Sequence, residues 1–170
     1  MSPSVALATD SSGSTRELAA AIATRCVAGD VLLLSGDLGA GKTTFTQGFA
    51  RALGIDEPVT SPTFTLVRQY EVGGGPDGVR TLLHADVYRL DHLAEIADLG
   101  LGQLVEDGGV AVVEWGEAAE PVLGEGALSV RLVADPDDDG RRRVVVAAEG
   151  PVWSSRWPEL ASALDRWADR

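Results

Sequence analysis

One lysine stands inside a glycine-rich segment of this acidic chain. Lys42 is the only lysine among 14 Lys and Arg residues, and it lies in residues 36–43, which read GDLGAGKT. The segment matches G-x-x-x-x-G-K-[ST], the phosphate-binding loop of nucleotide triphosphatases. An ammonium is a compact point charge that fits between β- and γ-phosphate oxygens, whereas a guanidinium is a wide planar fork. The spacing therefore predicts a triphosphate-binding site.

The chemistry of the loop assigns a part to each position. Glycines, among them Gly36, let the backbone approach phosphates closely, and Lys42 neutralises their charge. Thr43 can offer its hydroxyl to Mg²⁺, and Thr44 is expected near the α-phosphate. The alternative is an ordinary glycine turn between a strand and a helix. The predicted nucleotide-binding residues of this segment are Gly39, Ala40, Gly41, Lys42, Thr43 and Thr44.

Two carboxylates at predicted strand ends are candidates for the metal site and for activating water. Glu114 follows the apolar run VAVV, a Walker B pattern, from which a carboxylate can reach a metal at a neighbouring loop. Asp86 lies in LHADVYR, where strand alternation puts His84, Asp86 and Tyr88 on one face. Asp86 could orient the attacking water or hold a metal-bound water, braced by the other two. The alternatives are an ordinary strand-end acid and a solvated sheet face.

A further candidate is residues 61–65 (SPTFT), which follow the glycine segment after about twenty residues. In small nucleotide switches, such a loop carries a threonine that senses the γ-phosphate and Mg²⁺. Turn chemistry before a strand explains the same residues equally well.

The surrounding pattern predicts strand, glycine loop and helix in the order that such a site requires. A short apolar run at 30–35 predicts a buried strand, and residues 43–54 have the apolar spacing of a helix. We therefore expect a single α/β domain over residues 1–170, resembling P-loop nucleotide triphosphatases, with a central mixed sheet flanked by helices and antiparallel hairpins. Further predicted strands are 5–9, 65–72, 79–90, 110–115, 127–134 and 143–149, and further predicted helices are 16–27, 91–98 and 153–168, with 99–107 ambiguous.

The net charge of −12 argues against a direct clamp on nucleic acid, because an acidic chain repels phosphodiesters. Arg141, Arg142 and Arg143 form a local basic run, but four neighbouring aspartates make a charged hairpin the favoured interpretation. Cys26 is the single cysteine, so an internal disulfide is excluded, and we expect it as a core residue of the helix at 16–27. No apolar stretch approaches a membrane span, and the N-terminus lacks a signal-peptide pattern.

Four motifs together resemble one family. GDLGAGKTT at 36–44 is followed by SPTFTLV at 61–67, HADVYRL at 84–90 and VEW at 113–115. In this combination and order the chain resembles TsaE, the bacterial ATPase of threonylcarbamoyladenosine modification of tRNA. Two departures are Ala85, where the family commonly has phenylalanine, and the glycine-rich turn at 73–78. The final fifty or so residues carry little of the family signature.

The resemblance implies a cytoplasmic protein that binds and hydrolyses ATP with Mg²⁺. We expect hydrolysis by the isolated chain to be slow, because partners often order the groups that position water. It implies a complex with TsaB and TsaD that modifies the adenosine beside the anticodon, so that tRNA is met only through the complex. Family roles carry over as Lys42 on phosphates, Thr43 and Glu114 on Mg²⁺, and Asp86 near the hydrolytic centre, which makes Lys42, Asp86 and Glu114 the catalytic set. Ser12 would lie beside the adenine.

Two other functions compete. A small-molecule kinase would need an acceptor pocket, often with an acid after the loop helix and an arginine-bearing lid. Only Asp56 and Glu57 offer such acids, and no arginine-rich lid is evident. A GTP-dependent switch would read guanine with Asn-Lys-x-Asp, which needs a second lysine that the chain does not have.

Overall fold

The structure, a computed structural model, describes residues 2–60, 67–76, 78–87, 94, 101–114 and 126–170. Over these residues the strands are β1 (Ser4–Thr9), β2 (Val31–Ser35), β3 (Val67–Glu71), β4 (Thr81–Asp86), β5 (Gly109–Glu114), β6 (Leu128–Asp135) and β7 (Asp138–Ala148). The α-helices are α1 (Ser12–Ala23), α2 (Lys42–Ala52), α3 (Leu101–Glu106) and α4 (Trp157–Leu164), with 3₁₀ turns at Pro151–Trp153 and Asp165–Trp167. Within these ranges no helix has the length and apolar character needed to span a bilayer.

One mixed sheet joins all these strands in the order β1-β7-β6-β2-β5-β4-β3. The central strands β6, β2, β5 and β4 run parallel, whereas β3–β4, β6–β7 and β1–β7 are antiparallel. The predicted α/β class, with a mixed sheet and antiparallel hairpins, is therefore confirmed. Because parallel strands end at the same edge of a sheet, side chains that follow β2, β4 and β5 can meet there.

The sheet is buried on both faces at its centre, as the apolar run at 30–35 predicts. Leu32 and Leu34 of β2 belong to the cluster that includes Phe45 and Phe49 of α2, and Leu33 belongs to a second cluster on the other face. This alternation follows from the two-residue period of a strand. Helix α2, which follows the glycine-rich loop, therefore packs against the sheet through the rings of Phe45 and Phe49.

The first helix occupies other residues than predicted. It begins at Ser12 because Ser11 caps it, with its Oγ accepting a hydrogen bond from the Ser14 backbone N–H at 3.1 Å. It ends at Ala23, so Cys26 lies beyond the helix, although its side chain is buried as expected. The prediction of a helix over 16–27 was therefore wrong at both ends.

The C-terminal part shows two further differences. Strand β7 begins at Asp138, five residues before the predicted start, because the charged residues continue the ladder with β6 after a tight turn. The closing helix predicted over 153–168 is broken into 3₁₀ and α segments. Pro158 explains the start of α4, since proline lacks a backbone donor and is tolerated only in the first turn. The apolar face of the predicted helix is retained, because Leu160, Leu164 and Trp167 are buried.

Several predictions fall partly or wholly outside the described residues. The candidate switch loop at 61–65, the ends of the predicted strands at 65–66 and 88–90, and Trp115 lie there. Of the helix predicted over 91–98, only Ala94 is described, and it is helical. The ambiguous stretch at 99–107 contains α3.

Candidate functional site

The glycine-rich loop, residues 36–43, connects the end of β2 to the start of α2. Gly41 forms the N-cap of α2 in a left-handed conformation, with φ of 106°, which glycine adopts without steric cost. A Cβ on Gly36 would lie 2.5 Å from the backbone oxygen of Leu132, so the loop passes directly against β6. Helix α2 begins directly after Gly41, so the loop leads into its N-terminal end, where the helix dipole favours an anion.

Lys42 is held within this loop. Its side chain is buried, and its Nζ donates hydrogen bonds to the backbone oxygens of Gly36 at 2.5 Å and Asp37 at 3.3 Å. Burial lowers the pKa of the Lys42 ammonium, while the nearby carboxylates of Glu114, Asp86 and Asp37 act in the opposite direction. The ammonium therefore contacts the backbone of its own loop, and it lies close enough to both candidate carboxylates for them to raise its pKa.

Asp86 and Glu114 are neighbours at the carboxyl edge of the sheet. They are the last residues of the parallel strands β4 and β5 and pair with each other in register. Glu114 also pairs with Leu34 of β2, one residue before the end of the strand that leads into the glycine-rich loop. The side chains are only 6% and 3% exposed, respectively. The topology therefore brings the two candidate acids to the strand that leads into the loop.

His84 shares the buried face of β4 with Asp86. The interpretation of this face as solvated is wrong, because the described pair His84 and Asp86 is buried. We expected His84 to brace Asp86, but its Nε2 lies 3.2 Å from Oε1 of Glu114, at angles outside those of a hydrogen bond. The histidine therefore lies against the acid of the next strand. Tyr88, the third member of the predicted face, lies outside the described residues.

A small pocket adjoins the glycine-rich loop on the side of α1. It is lined by Ser12, Thr15, Gly41, Thr44, Gly140 and Arg142. Thr15 is buried, and its hydroxyl lies 2.8 Å from that of Thr9 at the end of β1. The structure thus brings Ser12 and Thr44 to one pocket although they are far apart in the sequence.

Sequence reasoning missed Arg142. The charged hairpin predicted for residues 141–143 is present, with Arg141 paired to Asp135. The sequence did not indicate that Arg142 donates hydrogen bonds to the backbone oxygens of Ala40 at 2.9 Å and Gly39 at 3.3 Å. A signal was available in the strand alternation, because Arg142 shares its parity with the buried Val144 and Val146. Arg143, of opposite parity, is exposed.

Comparison with known proteins shows the family of this chain. Residues 9–144 match the family model described as "Threonylcarbamoyl adenosine biosynthesis protein TsaE". The chain belongs to the TsaE family. A TsaE protein of Bacillus subtilis (strain 168) is 44% identical over 138 residues, which cover 81% of this chain and 79% of that relative. A TsaE protein of Streptomyces coelicolor is 43% identical over 145 residues, covering 82% and 94%. Both carry the name "tRNA threonylcarbamoyladenosine biosynthesis protein TsaE".

A solved TsaE-like structure extends the match to nearly the whole chain. The crystal structure of Bacillus subtilis YdiB superimposes with a TM-score of 0.75 at 36% sequence identity and covers 98% of this chain and 97% of that one. The matched α/β fold therefore continues past residue 144, where the family model ends, and includes the last residues of β7 and the helix α4.

The departure from the TsaE pattern at residue 85 lies away from the candidate site. Ala85 is fully buried in the cluster on the opposite sheet face, together with Leu83, Ala111 and Val113. Because successive strand residues point to opposite faces, alanine in place of the phenylalanine expected from the resemblance bears on the packing of that cluster and not on the face of Asp86.

The TsaE resemblance implies Mg²⁺, and the oxygen donors near the glycine-rich loop are of the kind that this ion prefers. Over the described ranges, no group of three or more His, Cys, Asp and Glu side chains is arranged to hold a metal ion. Magnesium does not require one, because it keeps several waters and commonly takes one or two carboxylates together with substrate phosphates. Glu114 offers a buried carboxylate, and Thr43, half-buried in the first turn of α2, offers a hydroxyl. The donor set therefore fits a magnesium–triphosphate complex better than an all-protein metal cage.

Proposed function

We propose that this TsaE-family chain is a Mg²⁺-dependent ATPase of the tRNA threonylcarbamoyladenosine machinery and acts in the cytoplasm through a TsaB–TsaD complex. The observation that carries the proposal is the convergence of three strand ends. The glycine-rich loop follows β2, and the paired carboxylates of Asp86 and Glu114 end β4 and β5 beside it. This is the edge at which parallel α/β sheets bind their ligands.

The loop would bind the triphosphate tail of ATP through main-chain and side-chain donors. Gly39, Ala40 and Gly41 let the backbone come close to phosphate oxygens, and Thr44 lies at the N-terminal end of α2, where the dipole favours negative charge. Lys42 would exchange its hydrogen bonds to the Gly36 and Asp37 oxygens for bonds to β- and γ-phosphate oxygens. Phosphate anions are stronger acceptors for an ammonium than neutral carbonyls are.

Thr43 and Glu114 would hold the metal, and Asp86 would serve the attacking water. A bound magnesium ion would neutralise charge that develops on the phosphate oxygens. Asp86 is buried and ends the strand beside Glu114, so its carboxylate can accept a hydrogen bond from a water aimed at the γ-phosphate. Lys42 would stabilise the charge on the transferring group. Ser12, in the pocket with Thr44, would lie beside the adenosine part of the nucleotide.

The charge of the chain supports action on proteins rather than on tRNA itself. A net charge of −12 opposes direct binding to a phosphodiester backbone. We therefore propose that nucleotide binding and hydrolysis assemble or reset the modifying enzyme, which contacts the tRNA. Turnover by the isolated chain should be slow, because partner contacts often order the groups that position water.

The decisive experiment compares nucleotide binding, phosphate release and complex formation on the same protein. We expect titration calorimetry to detect ATP with Mg²⁺ and much weaker binding of GTP, and we expect the TsaB–TsaD pair to accelerate phosphate release. A pull-down of that pair should depend on ATP and Mg²⁺. Transfer of labelled phosphate to a small acceptor would indicate a kinase, preference for GTP would indicate a guanine-nucleotide switch, and absence of ATP binding by folded protein would refute the proposal.

A further inference from the structure

The side chain of Arg142 connects the C-terminal hairpin with the glycine-rich loop. Its Nε donates to the oxygen of Ala40 at 2.9 Å, and its Nη2 donates to the oxygen of Gly39 at 3.3 Å, across 102 and 103 positions of the sequence. Its Nη1 donates to the oxygens of Asp139 at 2.6 Å and Arg141 at 2.8 Å within the hairpin itself. All three guanidinium nitrogens therefore donate to backbone oxygens, of which two belong to the glycine-rich loop and two to the hairpin.

These bonds determine which way one peptide of the loop points. In a planar trans peptide, the carbonyl of one residue and the N–H of the next point in opposite directions. Because the Ala40 oxygen is turned toward Arg142, the N–H of Gly41 is turned away from it. Gly41 is the N-cap of α2, so its N–H lies at the N-terminal end of the helix, where the dipole favours an anion. The arginine thus presets a donor for phosphate and keeps a carbonyl from facing it.

The hairpin carrying Arg142 is itself rigidly placed. Val144 and Val146, on the same face of β7, are fully buried in the main core cluster. On β6, the backbone oxygen of Leu132 lies against Gly36 so closely that a Cβ there would be 2.5 Å away. The hairpin therefore contacts the loop at its beginning through Leu132 and near its end through Arg142.

Only an arginine can make this set of contacts. Its planar fork presents several donors in fixed directions, whereas a lysine ammonium is a single point charge on a flexible stem. Lysine at 142 would keep the positive charge near the phosphates but could not span the Gly39 and Ala40 oxygens and the hairpin oxygens together. The substitution Arg142→Lys can therefore separate the effect of positive charge at this position from the effect of the hydrogen bonds that hold the loop.

We infer that Arg142 is a positioning residue that holds the glycine-rich loop in its phosphate-binding conformation and so makes the C-terminal hairpin part of the nucleotide site. The inference rests on the proposed ATPase function for its effect on affinity. Its structural half, the bracing of the loop, applies to the nucleotide-free protein as well. The C-terminal hairpin then contributes to binding, although none of the four motifs that carry the family resemblance lies in it.

The test uses the full chain with Arg142→Ala and Arg142→Lys, and with Arg143→Ala as the matched control, because Arg143 is exposed on the other face of the same strand. Hydrogen exchange at the amides of residues 39–42 would be measured without nucleotide, and ATP affinity would be measured with Mg²⁺ by calorimetry. We expect both Arg142 variants to exchange faster at these amides and to bind ATP about tenfold or more weakly, as loss of charge-assisted hydrogen bonds implies. Arg143→Ala should change neither quantity.

Three outcomes would overturn the inference. Unchanged loop exchange and affinity in Arg142→Ala would show that the contacts do not brace the loop. Full recovery by Arg142→Lys would show that charge alone matters. A lower melting temperature with unchanged affinity would show a merely structural role. If the alanine variant does not fold, the lysine variant decides between the same outcomes. Two results together would refute the ATPase proposal and leave the bracing of the loop intact. The wild-type protein would bind no ATP, and the loop amides of the Arg142 variants would still exchange faster than those of the wild type.

Discussion

Asp86 and Glu114 face each other as register partners on adjacent parallel strands, and both carboxylates are almost completely buried. Adjacent strands lie about 4.8 Å apart, so side chains of register partners on one face are close neighbours. Both acids raise the pKa of the Lys42 ammonium against the effect of burial, which shows that they lie near it. Two buried acids beside the ammonium of the glycine-rich loop are the arrangement that the proposed magnesium–ATP complex requires.

The two acids should differ in their effects when changed singly. Asp86→Asn should reduce ATP hydrolysis about 10²–10⁴-fold, the usual contribution of a group that moves or orients a proton, while ATP affinity changes little. Glu114→Gln should raise the magnesium concentration needed for hydrolysis. Phosphate release and calorimetry at graded Mg²⁺ would measure both effects, and removal of Mg²⁺ with EDTA should stop wild-type turnover. Equal losses of affinity and hydrolysis in Asp86→Asn would indicate a structural role for Asp86.

Lys42 should be irreplaceable by arginine. Lys42→Ala should weaken ATP binding about tenfold or more, because charge-assisted bonds to phosphate are lost. Lys42→Arg should fail similarly, since the wide fork does not fit the loop that the ammonium now fills. Arg51→Ala, an exposed change at the far end of α2, serves as the control and should bind normally. Normal ATP affinity in Lys42→Arg would argue against the point-charge explanation.

A buried ion pair at the opposite end of β2 should stabilise the fold. The Arg156 guanidinium donates to both oxygens of Asp30 at 2.8 and 2.7 Å and lies 3.8 Å above the Trp153 ring. Asp30 is only 3% exposed, so Arg156→Ala leaves a buried carboxylate without its counter-charge, although the Val27 backbone N–H still donates to it at 2.7 Å. The change should cost about 3–5 kcal/mol of unfolding free energy.

The matched control for this change is Arg166→Ala. Arg166 also lies over a tryptophan ring and pairs with Glu17, but both partners are more than 60% exposed. Its loss should cost about 1 kcal/mol or less. Urea unfolding of both variants would measure the difference, and equal destabilisation would show that burial of the Asp30 pair is not the cause.

Cys26 should make the protein less stable as the pH rises. Burial raises the pKa of its thiol well above the ordinary value, the Asp30 carboxylate raises it further, and Arg156 opposes both. In the unfolded chain the thiol ionises at about pH 8.5, whereas in the folded chain it keeps its proton at that pH. The folded state therefore binds more protons above that pH, and unfolding free energy falls by up to about 1.4 kcal/mol per pH unit until the folded thiol ionises.

Comparison with Cys26→Ala isolates this contribution from other alkaline titrations. Urea unfolding at pH 8, 9 and 10 under reducing conditions should show a steeper loss of stability for the wild type than for the variant. The same slope for both proteins would mean that Cys26 ionises alike in the folded and unfolded states.

Local features of the site were readable from the sequence because they depend on neighbours along the chain. The glycine spacing predicted the turn from β2 into α2, and the two-residue strand period placed His84 and Asp86 on one face. The hairpins followed from turn residues between alternating runs. Boundaries were less accurate where one local signal overrode another, as with the Ser11 cap that starts α1 early and Pro158 that delays α4.

The tertiary structure alone decided which distant residues meet. The register of β4 on β5 sets Asp86 beside Glu114 and brings His84 to Glu114 instead of Asp86. Folding of the β6–β7 hairpin brings Arg142 to the loop. Periodicity gives the face on which a side chain lies, but it contains no information on strand order, register or direction of approach. Those depend on how the whole sheet assembles around its core, since only there do residues remote in sequence become neighbours.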